Sequence, residues 1–306
     1  ILLKIIDSHI HLVQYIAGTG AKGELRYCGG GQARYSDGSI CQIIPTEWNT
    51  DQVTPERILS IMDTHNVEKA VLLQGGYLGF QNLYSYDAQQ KYPSRFLAAA
   101  AYDPYSYNRD AIVHHLFEEC NIKVVKFEVS TGSGLMANHP VFSLDNEIMK
   151  REASFADEHD LIFVIDIGKL GSPSSQIPAL RRLILRHPQM KFVICHLLAP
   201  KQNELLKMQE GLELLHLPNV WFDLASLQHN VGPDEPPFPV TRQFLRCAVE
   251  TIGAERLLFG TDTPSNLCRF HYRDMIDTIA DFSFLTEYEK QAILYENANS
   301  VFWSHP

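Results

Sequence analysis

The sequence predicts an α/β protein of the (β/α)8, or TIM-barrel, class: a single domain over 1–306 with a long insert after the first strand. Three observations lead there. Eight short apolar runs, mostly continuous rather than alternating, recur with helix signals between them, the pattern of parallel strands covered on both faces. No G-x-G-x-x-G turn follows the first run, which weighs against a doubly wound dinucleotide-binding sheet. Four runs carry His or Asp at or just beyond their C-terminal ends, which is the rim where such a barrel carries its active site. The length of 306 residues suggests two average domains at ~150 residues each, but barrels of this class reach ~250 residues or more as one unit.

The expected strands are Leu2–Asp7, Lys69–Gln74, Phe96–Ala101, Lys123–Val129, Leu161–Ile167, Lys191–His196, Val220–Leu224 and Arg256–Gly260. Between them, Thr54-Pro55-Glu56 supplies a cap and a proline at the first helical position, opening an Ile58, Leu59, Met62 face. Ser143–His159, Ser174–His187, Lys201–His216 and Val240–Ile252 have helical character, and Pro188 and Pro218 follow two of their ends. Residues 12–54 form an insert far longer than an ordinary βα connection. Within it Tyr35–Ile40 is expected to form a hairpin around Asp37-Gly38, and Gly29-Gly30-Gly31 a turn. Placed after the first strand, the insert belongs over the C-terminal face as a lid or pocket wall, and 286–306 forms a C-terminal helix and tail.

Composition narrows the function classes. With 26 Lys+Arg against 36 Asp+Glu, the net charge is −10, and no basic run offers a surface to nucleic acid or anionic membrane. No apolar run approaches the ~18 residues of a membrane span. Residues 1–6 are too short for a signal-peptide core. Six cysteines without a C-x-x-C pair read as reduced thiols of a cytoplasmic protein. A small-molecule substrate is the expected partner.

His9 and His11, two apart at the end of the first strand, share a face and can converge on one metal ion. In the fifth strand Ile162, Val164 and Asp166 share a face; in the sixth Phe192, Ile194 and His196; in the eighth Leu258, Gly260 and Asp262. Carboxylates and imidazoles at such positions are costly to bury unless paired, hydrogen-bonded or metal-bound. Lys126 and Glu128 share the inward parity of the fourth strand, with an internal ion pair between them as the plain reading. His229 and His271 are candidates for the pocket rim. His114, His115, His159, His187 and His216 lie on or at the ends of helices and are expected in solvent.

The segments Ile6–Leu12, Lys191–His196, Asn219–Leu224, Arg256–Asp262 and Ile293–Phe302 together resemble the amidohydrolase superfamily, specifically the amidohydrolase-2 branch of decarboxylases and related hydrolases, in order along almost the whole chain. That resemblance implies a divalent metal, commonly zinc, bound by His9 and His11, with Asp262 as a ligand or base and His196 as an acid/base. Where the branch normally has a histidine at the end of strand five, this chain has Asp166. An Asp oxygen can bind zinc or manganese, so a set of His9, His11, Asp166 and Asp262 is expected around one ion, the oxygen content leaving manganese open beside zinc. Lys126 and Glu128 are expected to contact substrate. From the insert, Arg34 is the candidate clamp for a substrate carboxylate, with Trp48 a further wall residue. The implied activity is hydrolysis of a small carboxylated ester, lactone or amide. A non-oxidative decarboxylase on the same scaffold is the alternative, and a non-catalytic barrel a third. Homodimers are common in the resembling family.

Overall fold

The computed structural model describes residues 3–304. Leu2, at the start of the first expected strand, and residues 305–306 of the C-terminal tail lie outside them. Among the described residues twelve strands occur in chain order: β1 Ile5–Ile10, β2 Gly18–Gly20, β3 Gly23–Gly29, β4 Gln32–Tyr35, β5 Ile40–Gln42, β6 Val67–Leu72, β7 Phe96–Ala100, β8 Val124–Glu128, β9 Ile162–Asp166, β10 Phe192–Ile194, β11 Val220–Asp223 and β12 Leu257–Leu258. Eight form one sheet in the order β1-β6-β7-β8-β9-β10-β11-β12, parallel at every pairing. Backbone bonds beyond β12 close the barrel: Ser8 N to Phe259 O (2.9 Å), Asp262 N to His9 O (2.8 Å) and His11 N to Thr263 O (2.8 Å). All eight expected barrel strands are present.

Two apolar layers follow from the strand alternation. Ile6, Val71, Ala99, Val124, Ile162, Val164, Val193 and Leu258 pack with one another inside the barrel. Phe96, Phe163, Phe192, Ile194 and Phe222 pack outward with the helices. Pro55–His65 starts where expected, its Thr54 cap accepting Arg57 N at 3.2 Å. Asn146 caps Glu147–Glu158 through Met149 N at 2.8 Å. At the C-terminal end Tyr295, Ala298, Val301 and Phe302 join the inner layer. Lys69 and Lys191, near strand starts, bond to Asn299 Oδ1 and Ser300 O at 3.0 Å each. This last helical segment therefore stoppers the barrel floor, leaving the opposite end open.

The insert carries β2–β5 as a separate antiparallel sheet. Its β4–β5 hairpin turns at Asp37-Gly38 as expected, with Asp37 accepting the Ser39 N–H at 2.9 Å and Gly38 at φ 88°. The chain entering this sheet is bound edge-on to the barrel loops: Ala17 N to Leu78 O (3.0 Å), Thr19 N to Gly76 O (3.0 Å) and Ala21 N to Gly132 O (2.9 Å). The approach is so close that a Cβ on Gly18 would lie 1.8 Å from Tyr77 O. No helix among the described residues is long and apolar enough to cross a membrane.

Candidate active site

The site is assembled at the C-terminal strand ends, and β1 reaches it through an irregularity. Its register against β6 shifts between Asp7 and Ile10, so that Ile6 and, three residues later, His9 both face inward, as a bulge requires. Asp7, fully buried, accepts the hydroxyls of Thr261 (2.5 Å) and Tyr272 (2.6 Å); burial lifts its carboxyl to about 6. His9 and His11 then share a face, their ring centroids 5.0 Å apart.

Each of three imidazoles is tied back through Nδ1. His9 Nδ1 lies 2.9 Å from Asp223 Oδ2, His11 Nδ1 2.8 Å from Leu73 O, and His196 Nδ1 2.7 Å from Ala225 O. A carbonyl or carboxylate partner demands a proton on that nitrogen, so Nε2 is the atom each ring presents to the cavity. His11 Nε2 stands 2.9 Å and His9 Nε2 3.7 Å from the same Asp262 oxygen, Oδ1. The other oxygen, Oδ2, accepts the Ser226 hydroxyl at 2.5 Å, and Asn266 in turn donates to Ser226 Oγ at 2.9 Å.

His196 arrives by a route that alternation does not describe. In β10 and the residue that follows it the inward residues are Val193 and Cys195, while Phe192 and Ile194 face the helices. His196 therefore has the outward parity, and its expected alignment with an inward Phe192 and Ile194 is corrected. It enters the cavity because the strand breaks into a left-handed turn: His196, Leu197, Leu198 and Ala199 have φ of 62°, 48°, 67° and 49°. Ala199 N closes the turn on His196 O at 2.7 Å, and His196 N donates to Asp223 Oδ1 at 2.8 Å. Ser226 and Asp262, ending the next two strands, are also left-handed, at φ 63° and 57°. Such conformations are costly for residues with a Cβ and gather at functional sites.

The electrostatics separate the imidazoles. Burial presses His9 down to about 4 despite the pull of Asp223, leaving it neutral. Burial acts the same way on His196, but Asp166, whose Oδ2 lies 3.4 Å from Nε2, overrides it and holds the ring at about 10. Burial works against the Asp262 charge, yet the His11 bond and neighbouring imidazoles keep its carboxyl well below the usual range.

A cavity of about 770 Å³ opens above these groups. His9, His11, Lys126, Glu128, Asp166, His196, His229 and Asp262 all line it. Arg34 and Trp48 do not. Arg34 is exposed on β4 opposite Arg26, because Ala33 takes the buried parity, and Trp48 is engaged by the Arg57 guanidinium 4.8 Å from its ring. The Lys126–Glu128 ion pair also does not form, since Glu128 turns to the hydroxyls of Ser130 (3.2 Å) and Ser133 (2.5 Å). Of the helix-end histidines, His187 is buried rather than solvated, bonded to Asp157 at 2.7 Å. Asp223 was not among the expected site residues, although it holds two histidines. Lys169 and Arg269 also line the cavity, Arg269 standing 2.5 Å from His229 Nδ1.

The donors suit a divalent ion. His9, His196 and Asp262 bring atoms within 4.8 Å of one another, and because Asp166 keeps His196 protonated, it is His11 Nε2, sharing the Asp262 oxygen, that offers the second imidazole lone pair. A lone pair on His11 Nε2 facing a carboxylate at 2.9 Å repels it unless a positive charge lies there, which a proton or a metal ion supplies. The carboxylate–histidine pairing of Asp223 with His9 is the usual outer support of a metal-ligating ring. Asp166, expected as a ligand, lies outside this group because its oxygens are committed to His196 Nε2 and, at 2.8 Å, to Gly168 N.

Among solved structures, this fold is similar to an amidohydrolase of Burkholderia multivorans with bound zinc (TM-score 0.71, 16% identity, 98% of this chain and 99% of that one). It is similar also to a probable 2-pyrone-4,6-dicarboxylic acid hydrolase of Acinetobacter baumannii with citric acid bound (TM-score 0.70, 17% identity, 98% and 99%). A 2,6-dihydroxybenzoate decarboxylase from Rhizobium matches over less of its length (TM-score 0.59, 16% identity, 81% and 88%). At these identities the likeness is one of fold. No curated protein matches the chain in sequence. An amidohydrolase family model matches from residue 6 to residue 302, the span that holds every donor described above. The chain therefore belongs to the amidohydrolase family, as a metal-dependent enzyme.

Proposed function

We propose that the protein is a hydrolase of a small carboxylated ester, lactone or amide, working with one divalent ion held by His9, His11 and Asp262. The observation that carries this reading is the convergence of imidazole Nε2 atoms on the Asp262 carboxylate, each ring tied back through Nδ1. Two imidazoles and one carboxylate suit zinc before manganese. Bound there, such an ion supplies Lewis acidity and lowers the pKa of water. Asp262 would hold the ion through Oδ1, where both imidazoles converge, leaving Oδ2, beside the Ser226 hydroxyl, as the proton acceptor. His196, held charged by Asp166, is the proton donor to the leaving group. Support for hydrolysis over decarboxylation comes from the barrels similar along nearly the whole length, which include one designated a hydrolase, against the shorter match to the decarboxylase.

Elemental analysis of the purified protein tests the ion, with about one equivalent of zinc expected per chain and loss of lactone or ester hydrolysis on chelation. Less than about a tenth of an equivalent, with hydrolysis unchanged by chelation, overturns the reading. Asp262→Asn is expected to lose both metal and turnover. His196→Gln is expected to keep the metal and lose about 10²-fold or more in turnover; loss of the metal instead would make His196 a ligand. Carbon dioxide released from aromatic acids would favour the lyase.

A further inference from the structure

Lys126 is a buried cation that no carboxylate meets directly. Its side chain is 3% exposed and lines the cavity, yet among the described residues it makes no ion pair within 4.0 Å and no hydrogen bond. The charges of Glu128, Asp166 and Asp262 favour the ammonium against burial, but each of these carboxylates has its direct partners elsewhere. Asp262 serves His11 and Ser226, and Asp166 serves His196 and Gly168 N. Glu128, two residues along β8 and on the same face, is drawn off by Ser130 and Ser133. Room for that displaced carboxylate exists only because residue 75 is glycine: a Cβ there would lie 2.2 Å from Glu128 Oε2. Three residues thus hold the nearest acid on the strand away from the ammonium. Its charge is compensated at a distance, but its N–H donors meet no acceptor and are left for a ligand to satisfy.

We propose that Lys126 is the specificity-determining anchor for the substrate's carboxylate, and that Ser133 and Gly75 keep it available by restraining Glu128. The inference rests on the reading of this site as one for a carboxylated substrate, and it says which group recognises that carboxylate. The substrate class is a hydrolysable compound bearing a free carboxylate that reaches the floor of the cavity beside β8.

Calorimetric titration with benzoate and with benzamide, a matched anionic and neutral pair, tests this on the metal-loaded full chain. Wild type is expected to bind benzoate and to discriminate against benzamide. Lys126→Met should weaken benzoate about tenfold or more, the range lost with a hydrogen bond to a charged group, and leave benzamide unchanged. Ser133→Ala, which leaves Lys126 in place but frees Glu128 to pair with it, should weaken benzoate about threefold or more. Metal content is measured on each variant. Equal benzoate affinity in wild type and Lys126→Met, with metal retained, overturns the anchor and leaves the hydrolase reading standing, as does an absence of benzoate binding by wild type. Unchanged affinity in Ser133→Ala overturns the restraint of Glu128. Loss of metal-dependent hydrolysis in wild type overturns the hydrolase reading instead.

Discussion

His9 Nδ1 donates to Asp223 Oδ2 across 2.9 Å, with both side chains 1% exposed. The same carboxylate accepts His196 N at 2.8 Å through its other oxygen. One aspartate on β11 therefore sets the orientation of a ring on β1 and the entry of a ring from β10. Asp223→Asn keeps the shape but removes the charge that fixes the His9 tautomer. Metal affinity, measured by competition with a chromogenic chelator, is expected to fall about 10- to 100-fold.

Ala199 completes the left-handed turn behind His196 at φ 49°. A left-handed residue with a Cβ costs roughly 1–2 kcal/mol, and glycine gives back roughly 0.5–1 kcal/mol through the entropy of the unfolded chain. Ala199→Gly is expected to stabilise the fold by about 0.5 kcal/mol in urea unfolding while lowering turnover, because the turn that aims His196 loosens.

Glu152, fully buried on the helix Glu147–Glu158, accepts Tyr102 Oη (2.5 Å), Arg109 Nη2 (2.6 Å) and Arg151 Nε (2.7 Å). Glu152→Ala removes the buried charge partner of the Arg109 guanidinium, leaving it only the exposed Asp110, and should cost about 3 kcal/mol in urea unfolding. Arg182→Ala, which breaks the exposed pair with Asp145, should cost about 1 kcal/mol or less.

His65 stacks on Tyr272 with ring centroids 5.0 Å apart, and burial together with Arg273 holds its pKa below its ordinary 6.5. The native state thus binds this proton less readily than the unfolded chain. The resulting stabilisation is whole above pH 6.5 and is lost as pH falls toward the lower native value. Against His65→Phe, wild type should lose no more than about 1 kcal/mol between pH 7.5 and pH 5, measured by urea unfolding.

The barrel strands were legible because parallel strands buried on both faces leave continuous apolar runs, and Leu161–Ile167 or Lys123–Val129 can hardly be read otherwise. His9 and His11 were legible from their spacing and position. His196 was assigned to the right rim for the wrong reason: nothing in Cys195-His196-Leu197-Leu198-Ala199 signals a left-handed turn, which ordinarily asks for glycine or asparagine. Asp223 escaped notice because its role lies in two bonds to residues 214 and 27 positions away. Arg34 was misplaced because a strand's parity inside an insert depends on what covers it, and Trp48 because the short helical turn Thr46–Trp48 sets its ring under Arg57. For Arg34 the buried neighbour Ala33 decided the face.

The way the insert is mounted bears on how molecules enter. Where β2 meets the loops after β6 and β8, backbone lies against backbone, with Gly18, Gly20 and Gly76 leaving no space for a side chain between. A segment bonded and wedged in this manner is masonry and not a door. Substrates are then expected to be sorted by their fit to a preformed vestibule, with turnover indifferent to solvent viscosity. A methyl group at residue 18 would act as a shim, lifting the wall and widening the range of molecules admitted.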